Sequence, residues 1–449
     1  MTGAPPDHHP LSGAQAGIWM AQQLHPDRAI FRIGELMRIT GPLDPALFET
    51  ALRRAFAETD NLHLRFVEDD DGRVWQYVQP PDRWSLAGVD VSTDPDPDDA
   101  VDRWIRADLA GHIDLDAGRL FSFALFRAAP DVHLWYHGYH HIVTDGIGCG
   151  LFVRRVAAHY GALVAGYPEP PPGYGSVRRL LTADATYRAS ETFAADRRYW
   201  LSRLDGWSTP LRLADHEVPP GDGFLRRDAR LTGWVTDGLS ALARKASTSD
   251  ARVFVGAAAA YLGRSAGVDD VVVGLPLTGR TDEVTRGTPG LAVNVLPLRL
   301  SLAGAPTTGQ FLDRVADAVR GAVRHQRYRG EDLYRDLLSR PGRSQSFGPL
   351  VNVMLFDYDL RFGECRTVTT NVSLRHVEDL AITVYDRADG AGVRVDVEAN
   401  PDRYLDDTVT ALHEGFLAYL ERFAGTSPDA PLPTARPVAQ AEGVSSLTE

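Results

Sequence analysis

The sequence predicts an α/β protein of two lobes, each a mixed sheet with helices on its outside, with a cleft between the lobes. Three observations favour this fold class. Helical and strand patterns alternate from Leu11 to about residue 165, and again from Ser176 to about residue 423. The segment 166–173, GYPEPPPG, separates the two runs and is a proline-rich stretch of the kind that joins lobes. The chain has 449 residues, enough for two substantial cores.

These patterns divide the chain into four segments. Residues 1–10 are polar and proline-rich, and we expect a flexible N-terminus there. Residues 11–173 form the N-terminal lobe. Residues 174–424 form the C-terminal lobe, with a helix ending in ADRRYWLSRL, an alanine-rich helix, and the strands VVVGLPLTGR, VLPLRL and VNVMLF. Residues 425–449 are rich in Pro, Ala and Ser, and we expect them to be a disordered tail.

The composition is that of a soluble globular protein, with 44% hydrophobic and 24% charged residues. The net charge of −13 argues against nucleic acid or an anionic membrane as the main partner. The N-terminus MTGAPPDHHP has neither the basic start nor the apolar core of a signal peptide. Cys149 and Cys365 lie far apart and could pair, but reduced thiols in a cytoplasmic protein are the expectation.

The segment HHIVTDG, residues 140–146, is the candidate catalytic motif. The preceding residues 131–139 are rich in aromatic and branched side chains and indicate a strand, whereas apolar positions at helical spacing follow from Gly146. Because successive strand side chains point to opposite faces, His140 and His141 cannot both line one cavity. We expect one of them to face a reaction site and the other to pack behind it.

The residue types in this segment suit acid–base chemistry. A neutral imidazole has a reference pKa of about 6.5, so it can accept a proton near neutrality. Asp145 lies at the expected helix start, where a carboxylate is a favourable cap. Taken alone, the histidine pair could be structural and the Asp–Gly step an ordinary turn. The spacing HHxxxDG behind an aromatic strand is much rarer.

That spacing resembles the active-site motif of the condensation domains of nonribosomal peptide synthetases and, more distantly, of acyltransferases of the chloramphenicol acetyltransferase type. Other stretches, spread over nearly the whole chain between the expected loose ends, are similar to motifs of the same family: LSGAQAGIW at 11–19, ETDNLHLRF at 58–66, GLPLTGR at 274–280, NVLPLR at 294–299, HQRY at 325–328 and FGPLVN at 347–352. The first carries Gly17 where the family has arginine. The second has the form seen in domains that take starter or aryl donors.

The resemblance implies two chloramphenicol acetyltransferase-like lobes arranged in a V, with an active-site tunnel at their interface. It implies that His141 faces this tunnel and that His140 supports the loop. It also implies that Arg280 of the second lobe pairs with Asp145, which gives Asp145 a structural role.

Gly146, Asn294 and Asn352 also receive roles from the resemblance, whereas three tryptophans are interpreted as structural. Gly146 would let a substrate chain approach its backbone closely, and its N–H could steady a developing oxyanion. Asn294 and Asn352 are expected to line the cavity or to make hydrogen bonds rather than to catalyse. Trp19, Trp135 and Trp200 are expected to be core aromatics.

The implied reaction is transfer of an acyl or aminoacyl group from a phosphopantetheine thioester on an acyl- or peptidyl-carrier protein. The acceptor would be the hydroxyl or amine of a small molecule, giving an ester or an amide in natural-product biosynthesis; the ester is favoured. Because the thioester is already activated, no bound cofactor and no metal are expected. His141 would take a proton from the nucleophile or orient it. The layout is similar to that of free-standing condensation enzymes of enediyne-type pathways, although an excised domain would look the same.

Three alternative functions compete with this interpretation. An epimerisation domain shares HHxxxDG but uses an additional acid–base residue, and its glutamate-bearing motifs are not seen. A heterocyclisation domain would carry DxxxxD in place of the two histidines. A non-catalytic module that docks carrier proteins is kept open by Gly17.

Overall fold

The computed structural model describes residues 7–26, 28–80, 84–116, 118–207, 210–214, 223–304, 306–338, 347–355, 360–375, 377–386, 390 and 392–435. The helices are α1 Gly13–Leu24, α2 Pro45–Ala57, α3 Pro97–Leu109, α4 Gly146–Ala165, α5 Arg178–Arg188, α6 Glu191–Arg203, α7 Gly233–Lys245, α8 Asp250–Ser265, α9 Glu283–Arg286, α10 Thr308–Arg324, α11 Gly330–Leu338 and α12 Asp406–Ala424. The strands are β1 His9–Pro10, β2 Phe31–Thr40, β3 Leu64–Glu68, β4 Val74–Val78, β5 Ala87–Asp90, β6 Phe121–Ala129, β7 Val132–His140, β8 Leu225–Arg230, β9 Asp270–Leu277, β10 Asn294–Ser301, β11 Leu350–Leu355, β12 Arg366–Asn371, β13 Leu374–Arg375, β14 Leu380–Asp386 and β15 Arg394–Ala399.

The N-terminal lobe is built on a sheet in the order β12–β2–β7–β6–β5, with β13 also paired to β2. Only the β5–β6 pair of this sheet, among the described strands, is parallel. Helices α2 and α4 cover the face that carries Trp135 and Tyr139, and α3 covers the face that carries Leu134 and Tyr136. Alternate residues of β7 therefore lie in two separate cores, as strand geometry requires.

The C-terminal lobe is built on a second mixed sheet in the order β10–β9–β11–β14–β15–β8. Strand β11 runs parallel to both β9 and β14, and the other pairs are antiparallel. Helices α7, α8, α10 and α12 contribute to one large core with this sheet. The alanine-rich α8 is buried along almost its whole length, yet no helix in the described part of the chain is long and apolar enough to cross a bilayer. The predicted mixed sheets with flanking helices are confirmed.

The second half of the chain also contributes to the first sheet. Strands β12 and β13 come late in the sequence but pair with β2. The Gly34 N–H donates to the Ser373 hydroxyl at 3.0 Å, across 339 positions of sequence. Arg226 of the C-terminal lobe donates to the Ser373 carbonyl oxygen at 3.1 Å. The expected lobe boundary at residue 174 therefore does not hold for residues 366–375, because these strands complete the sheet of the other lobe.

The proline-rich linker is fixed to the N-terminal lobe by one arginine. Arg155 of α4 donates to the carbonyl oxygens of Pro171 and Pro170 at 2.8 and 3.1 Å. The same guanidinium donates to Glu58 Oε1 at 2.8 Å, and His159 Nε2 lies 2.9 Å from that oxygen. Burial raises the pKa of Glu58. The hydrogen bond from Arg155 and the positive charge of that arginine outweigh burial, so the pKa of Glu58 lies below its usual range.

The N-terminal segment is more ordered than expected. His9 and Pro10 form β1, which pairs with Gln76 and Trp75 of β4 in a small sheet of order β1–β4–β3. The prediction of a flexible N-terminus over 1–10 is therefore wrong for this strand, and residues 1–6 lie outside the described residues.

The segment that follows α12 is also ordered, in contrast to the predicted disordered tail. The Thr308 N–H donates to the Ala430 carbonyl oxygen at 2.8 Å. The Leu432 side chain is 6% exposed and belongs to the core of the C-terminal lobe. The prediction is wrong for residues 425–435, because one buried leucine and a few backbone hydrogen bonds anchor a segment of disorder-like composition. Residues 436–449 lie outside the described residues.

We expect Leu432→Ala to lower the free energy of unfolding by about 2–4 kcal/mol, because it empties a buried site. The matched control is Leu405→Ala in the same lobe, where the side chain is 67% exposed; its effect should stay within about 0.5 kcal/mol. Chemical denaturation measures both. Equal effects of the two variants would contradict the anchoring role of residues 425–435.

Candidate active site

The segment HHIVTDG starts on the last residue of β7 and ends on the first residue of α4. The His141 N–H donates to the Phe31 carbonyl oxygen at 2.8 Å, which ties the loop to β2. The Asn61 side-chain amide donates to the Val143 carbonyl oxygen at 2.9 Å. The predicted strand–loop–helix arrangement is confirmed, and the loop is held from two sides.

The His141 ring is half-buried and has a defined tautomer. Its Nδ1 lies 2.7 Å from the Thr144 carbonyl oxygen. Because a carbonyl oxygen only accepts hydrogen bonds, Nδ1 must carry a proton. In the neutral ring the lone pair is therefore on Nε2, at the far side of the ring. This geometry gives His141 the form of a general base.

The His140 ring has the opposite tautomer. The Ile142 N–H donates to its Nδ1 at 3.2 Å, so the proton of the neutral ring is on Nε2. That Nε2 lies 3.4 Å from Gln22 Oε1. The Gln22 amide nitrogen donates to the carbonyl oxygens of His25 and Arg28, both at 2.9 Å, which leaves its oxygen as the acceptor for His140.

His140 stays neutral near physiological pH. Its side chain is 2% exposed. Burial, with smaller contributions from His141 and Arg32, lowers the pKa of His140 to about 3. A ring that is neutral and hydrogen-bonded at both nitrogens supports the loop and does not exchange protons near pH 7. The arrangement agrees with the expectation that one histidine packs behind the other.

Asp145 and Arg280 form a buried ion pair between the lobes. Asp145 Oδ2 accepts from Arg280 at 2.6 Å, and the two side chains are 2% and 1% exposed. The same oxygen accepts from the N–H groups of Ala292 and Val293 at 2.9 and 3.0 Å, and Oδ1 accepts from Gly148 at 2.9 Å. The ion pair expected from the sequence is confirmed.

These contacts determine the role of Asp145. Burial raises the pKa of the carboxyl group, but the Arg280 charge and the N–H donors outweigh burial and hold it below its usual range. Both oxygens already accept hydrogen bonds, so the group stays ionised and joins the start of α4 to residues 292–293 of the C-terminal lobe. These are the contacts of a structural anchor, and the absence of an acid–base role for Asp145 stays a prediction.

The backbone around the ion pair is closely packed. Arg280 also donates to the carbonyl oxygens of Gly290 and Thr285 at 2.8 and 3.2 Å. The preceding Gly279 has φ +67, and a Cβ there would lie 2.0 Å from the Ala292 carbonyl oxygen. Glycine is required at this turn for both reasons.

Gly146 differs from these packed glycines. It is exposed, and a Cβ added to it would meet no atom within 4 Å. It is the first residue of α4, whose N-terminal end carries a partial positive charge. The structure thus has open space beside this backbone position, next to the histidine loop. Its role toward a substrate or an oxyanion stays a prediction.

The two asparagines differ in their surroundings. Asn294 Nδ2 donates to the carbonyl oxygens of Gln326 and Tyr328, both at 2.8 Å, and its Oδ1 accepts from Gly330 at 2.9 Å. Asn294 is therefore a buried link between β10 and the start of α11. Asn352 lies on β11 and is half-buried, and its place in a substrate tunnel stays a prediction.

The space beside Gly17 is filled from the other lobe. A Cβ at Gly17 would lie 2.8 Å from Glu331 Oε1. Arg329 donates to both oxygens of Glu331 at 3.1 Å and to the Val293 carbonyl oxygen at 2.8 Å. A guanidinium therefore lies in this region although position 17 lacks one.

A cavity of about 60 Å³ lies between the lobes. It is lined by residues from both halves of the chain, among them Gln15, Val143, Leu180, Ala292, Gln326 and Arg329. His141 is not among the lining residues, so a tunnel that passes this ring stays a prediction. Among the described residues, no group of three or more His, Cys, Asp or Glu side chains could hold a metal ion.

Two groups that hold the histidines were missed by the sequence reasoning. Gln22 follows the motif residue Gln15 by seven positions, and both are buried on α1. That helical spacing could have indicated a shared buried face. The Thr144 carbonyl oxygen is a backbone group, and the sequence carries no signal for its orientation.

We expect Asp145→Ala and Arg280→Ala each to lower the free energy of unfolding by about 3–5 kcal/mol, because each leaves one buried charge without its partner. Glu49→Ala is the control. It breaks the exposed pair between Glu49 and Arg53 and should cost less than about 1 kcal/mol. Denaturant unfolding compares the three variants, and parent-like stability of both buried-pair variants would refute the structural role of the pair.

The stability of the protein should depend on pH through His140. Its folded-state pKa of about 3 lies below the reference value of about 6.5. The contribution of neutral His140 to the free energy of unfolding is therefore complete above about pH 6.5. It is lost as the pH falls toward 3, at up to about 1.4 kcal/mol per pH unit. His140→Asn should flatten the fall in unfolding free energy between about pH 7 and pH 5, whereas His112→Asn, at an exposed position, should not. Identical slopes in parent and His140→Asn would contradict this.

Known proteins match this chain over nearly its whole length. The family described as Condensation domain matches residues 6–442. The chain is 40% identical over 419 residues to a dimodular nonribosomal peptide synthase of Bacillus subtilis (strain 168), covering 93% of this chain and 18% of that protein. It is 40% identical over 428 residues to an isonitrile lipopeptide synthase of Streptomyces coeruleorubidus, covering 95% and 29%. The chain thus spans less than a third of the length of these relatives.

Solved structures agree with this match. The starter condensation domain of rhizomide synthetase, in a mutant bound to C8-CoA, has a TM-score of 0.87 at 35% identity, covering 95% of this chain and 96% of that chain. The first condensation domain of the calcium-dependent antibiotic synthetase, in complex with a substrate analogue, has a TM-score of 0.86 at 34% identity, covering 95% and 98%. The chain belongs to the condensation-domain family of nonribosomal peptide synthesis.

Proposed function

We propose that this chain transfers an acyl group from a carrier-bound phosphopantetheine thioester to a hydroxyl or amine acceptor. The observation that carries the proposal is the His141 tautomer. Its Nδ1 proton is donated to the Thr144 carbonyl oxygen at 2.7 Å, so the neutral ring has its lone pair on Nε2. The ring is half-buried, whereas its neighbour is enclosed.

The reaction needs one proton acceptor and alignment of two substrates. The acceptor oxygen or nitrogen attacks the thioester carbonyl carbon while its proton moves to, or is oriented by, His141 Nε2. The tetrahedral intermediate then collapses, the C–S bond breaks, and the phosphopantetheine sulfur takes the proton as a thiol. We propose that the Gly146 N–H, at the positive end of α4, stabilises the oxyanion of that intermediate.

The Asp145–Arg280 pair serves this reaction indirectly. Asp145 is the N-cap of α4 and also binds two N–H groups of the C-terminal lobe. It thereby fixes the histidine loop against that lobe. Because a displacement of about 1 Å can cost about 10²-fold in rate, a rigid loop is a requirement of the mechanism.

Two separate observations support an acyl starter group as the donor. The stretch 58–66 has the form that resembles domains with starter or aryl donors. One similar structure is described as a starter condensation domain in complex with C8-CoA, and one relative as a lipopeptide synthase. We propose an acyl starter group, presented by an acyl- or peptidyl-carrier protein, as the donor.

The proposal for the acceptor concerns its nucleophilic group, which is a hydroxyl or an amine. An alcohol is a weak nucleophile without a base, so ester formation depends more on His141 than amide formation does. A base with its lone pair on Nε2 suits a hydroxyl acceptor, and a small-molecule alcohol remains favoured over an amine.

A non-catalytic docking module and an epimerisation domain are the competing functions. The first is favoured only by Gly17, and Arg329 and Glu331 occupy that region. The second needs a further acid–base residue at the reacting carbon. Product analysis distinguishes them, because a docking module forms no product and an epimerase changes the stereochemistry of a donor without joining it to an acceptor.

We expect His141→Ala to lower product formation by at least about 10²-fold, because general-base catalysis contributes about 10²–10⁴-fold. The control is His133→Gln. His133 lies on the same strand, seven positions before His140 and roughly 23 Å away, and its replacement should leave turnover within about twofold. Mass spectrometry of products, with melting curves to show that each variant is folded, is the measurement. Unchanged turnover of His141→Ala would remove this ring from the chemistry.

A second experiment identifies the substrates. Carrier proteins loaded with octanoyl, aryl or β-aminoacyl groups are offered to amine and diol acceptors, and the products are analysed by mass spectrometry. We expect a condensation product from at least one acyl donor, with the ester formed from a diol. If no combination gives a product while the carrier protein still binds, the docking function replaces the proposed one.

A further inference from the structure

A partly buried polar cluster lies behind His140, on the sheet face covered by α3. We call it the Asp108 cluster; it consists of the buried Arg32 and Tyr136 and the half-buried Asp108 and Ser122. Asp108 Oδ2 accepts hydrogen bonds from Arg32 at 2.5 Å, from Ser122 at 2.6 Å and from Tyr136 at 2.7 Å. One guanidinium nitrogen of Arg32 is thereby held at a carboxylate oxygen that two hydroxyl groups also bind.

Two glycines make room for this cluster. Gly34 of β2 and Gly138 of β7 face each other directly in the sheet. The Tyr136 ring lies across them: a Cβ at Gly34 would be 3.0 Å from Tyr136 Cε2, and a Cβ at Gly138 would be 2.2 Å from its hydroxyl oxygen. Any side chain at Gly138 would push the hydroxyl away from Asp108. The sequence thus places glycines where the cluster needs space.

Arg32 lies beside His140. The two residues are direct partners across the antiparallel strands β2 and β7, and the Cβ atoms of such partners are about 4.5–5.5 Å apart. Arg32 is 4% exposed, so water screens its charge poorly. The titratable and charged groups that face His140 are Arg32 itself, with Asp108 behind it, His141 on the loop and His112 after α3.

Protonation of His140 would break the hydrogen bond that shapes the loop. His140 Nδ1 accepts from the Ile142 N–H at 3.2 Å. A proton on Nδ1 would set two N–H groups against each other at that distance. The turn that carries His141 would then lose one of the hydrogen bonds that hold it. The fixed positive charge of Arg32 opposes that second proton.

We propose that Arg32, held by Asp108, is a positioning residue for acyl transfer: it keeps His140 as the acceptor for Ile142 and so holds the loop that presents His141. The inference rests on the proposed function of His141 and adds a residue to it. Arg32 touches no reacting atom, and it acts through His140. A residue that merely stabilises the fold would change the rate equally at all pH values.

The experiment compares Arg32→Gln, which removes the charge, with Arg32→Lys, which keeps it. Acyl transfer is measured from about pH 5 to pH 8, and the His140 ring is titrated by ¹⁵N NMR without substrate. For Arg32→Gln, which removes the positive charge and leaves the Asp108 carboxylate without its partner, we expect the protonation midpoint of His140 to rise by at least about two pH units, from about 3 to about 5. Because about half of the rings would then be protonated at pH 5, we also expect its loss of turnover relative to the parent to be about twofold larger at pH 5 than at pH 8. Arg32→Lys should keep the parent profile.

A double-variant cycle tests whether the effect passes through His140. In His140→Asn, the Asn side-chain oxygen can replace Nδ1 as acceptor for Ile142 and does not titrate. Arg32→Gln should therefore no longer alter the pH dependence in the His140→Asn background. If Arg32→Gln does not fold, Asp108→Asn serves as the second variant: it keeps the Arg32 charge and removes the carboxylate that neutralises it, so the protonation midpoint of His140 should stay at or below that of the parent. A rise of that midpoint in Asp108→Asn would contradict the role of the Arg32 charge.

Two results would overturn the inference: an unchanged His140 titration in Arg32→Gln, or a loss of turnover that is the same at every pH. The NMR titration needs no catalysis, so it decides the role of Arg32 even if His141→Ala remains active. Full activity of His141→Ala contradicts the proposed function instead.

Discussion

The buried pair of Asp145 and Arg280 is the interaction on which the rest of the site depends. It joins the start of α4 in one lobe to residues 292–293 and the GLPLTGR turn in the other. Asp145 is 2% exposed, and both of its oxygens accept hydrogen bonds from the protein. The position of the histidine loop between the lobes therefore depends on a buried, ionised group whose hydrogen bonds are made within the protein.

The two adjacent histidines show how hydrogen bonds separate the chemistry of identical side chains. Strand alternation places the His140 side chain on the sheet face that carries the Asp108 cluster, where it also contacts α1. The next residue, His141, is half-buried. A backbone N–H then fixes the proton of His140 on Nε2, whereas a backbone carbonyl oxygen fixes that of His141 on Nδ1. One ring becomes a neutral support and the other a candidate base, although their reference pKa values are the same.

Much of the fold and part of the site could be predicted from the sequence. Periodicity indicated β7, α4 and the mixed sheets, and the family resemblance indicated the pair of Asp145 with Arg280. Periodicity could not indicate that β12 and β13 complete the other lobe's sheet, because pairing over 339 positions leaves no local pattern. The order of residues 425–435 depends on one leucine within a disorder-like composition. The Asp108 cluster depends on the facing glycines of β2 and β7, whose register is a property of the folded sheet.

The central claim is that the two rings hold opposite tautomers, so that only His141 presents an unprotonated nitrogen to the acceptor. The most direct measurement is ¹⁵N NMR of imidazole-labelled protein at about pH 8, with the His141 signals assigned by comparison with the His141→Ala variant. The account predicts a protonated Nδ1 and an unprotonated Nε2 for His141, and the reverse for His140. A His141 ring protonated at Nε2 would contradict it, because its lone pair would then face the Thr144 carbonyl oxygen and no base would remain for the nucleophile.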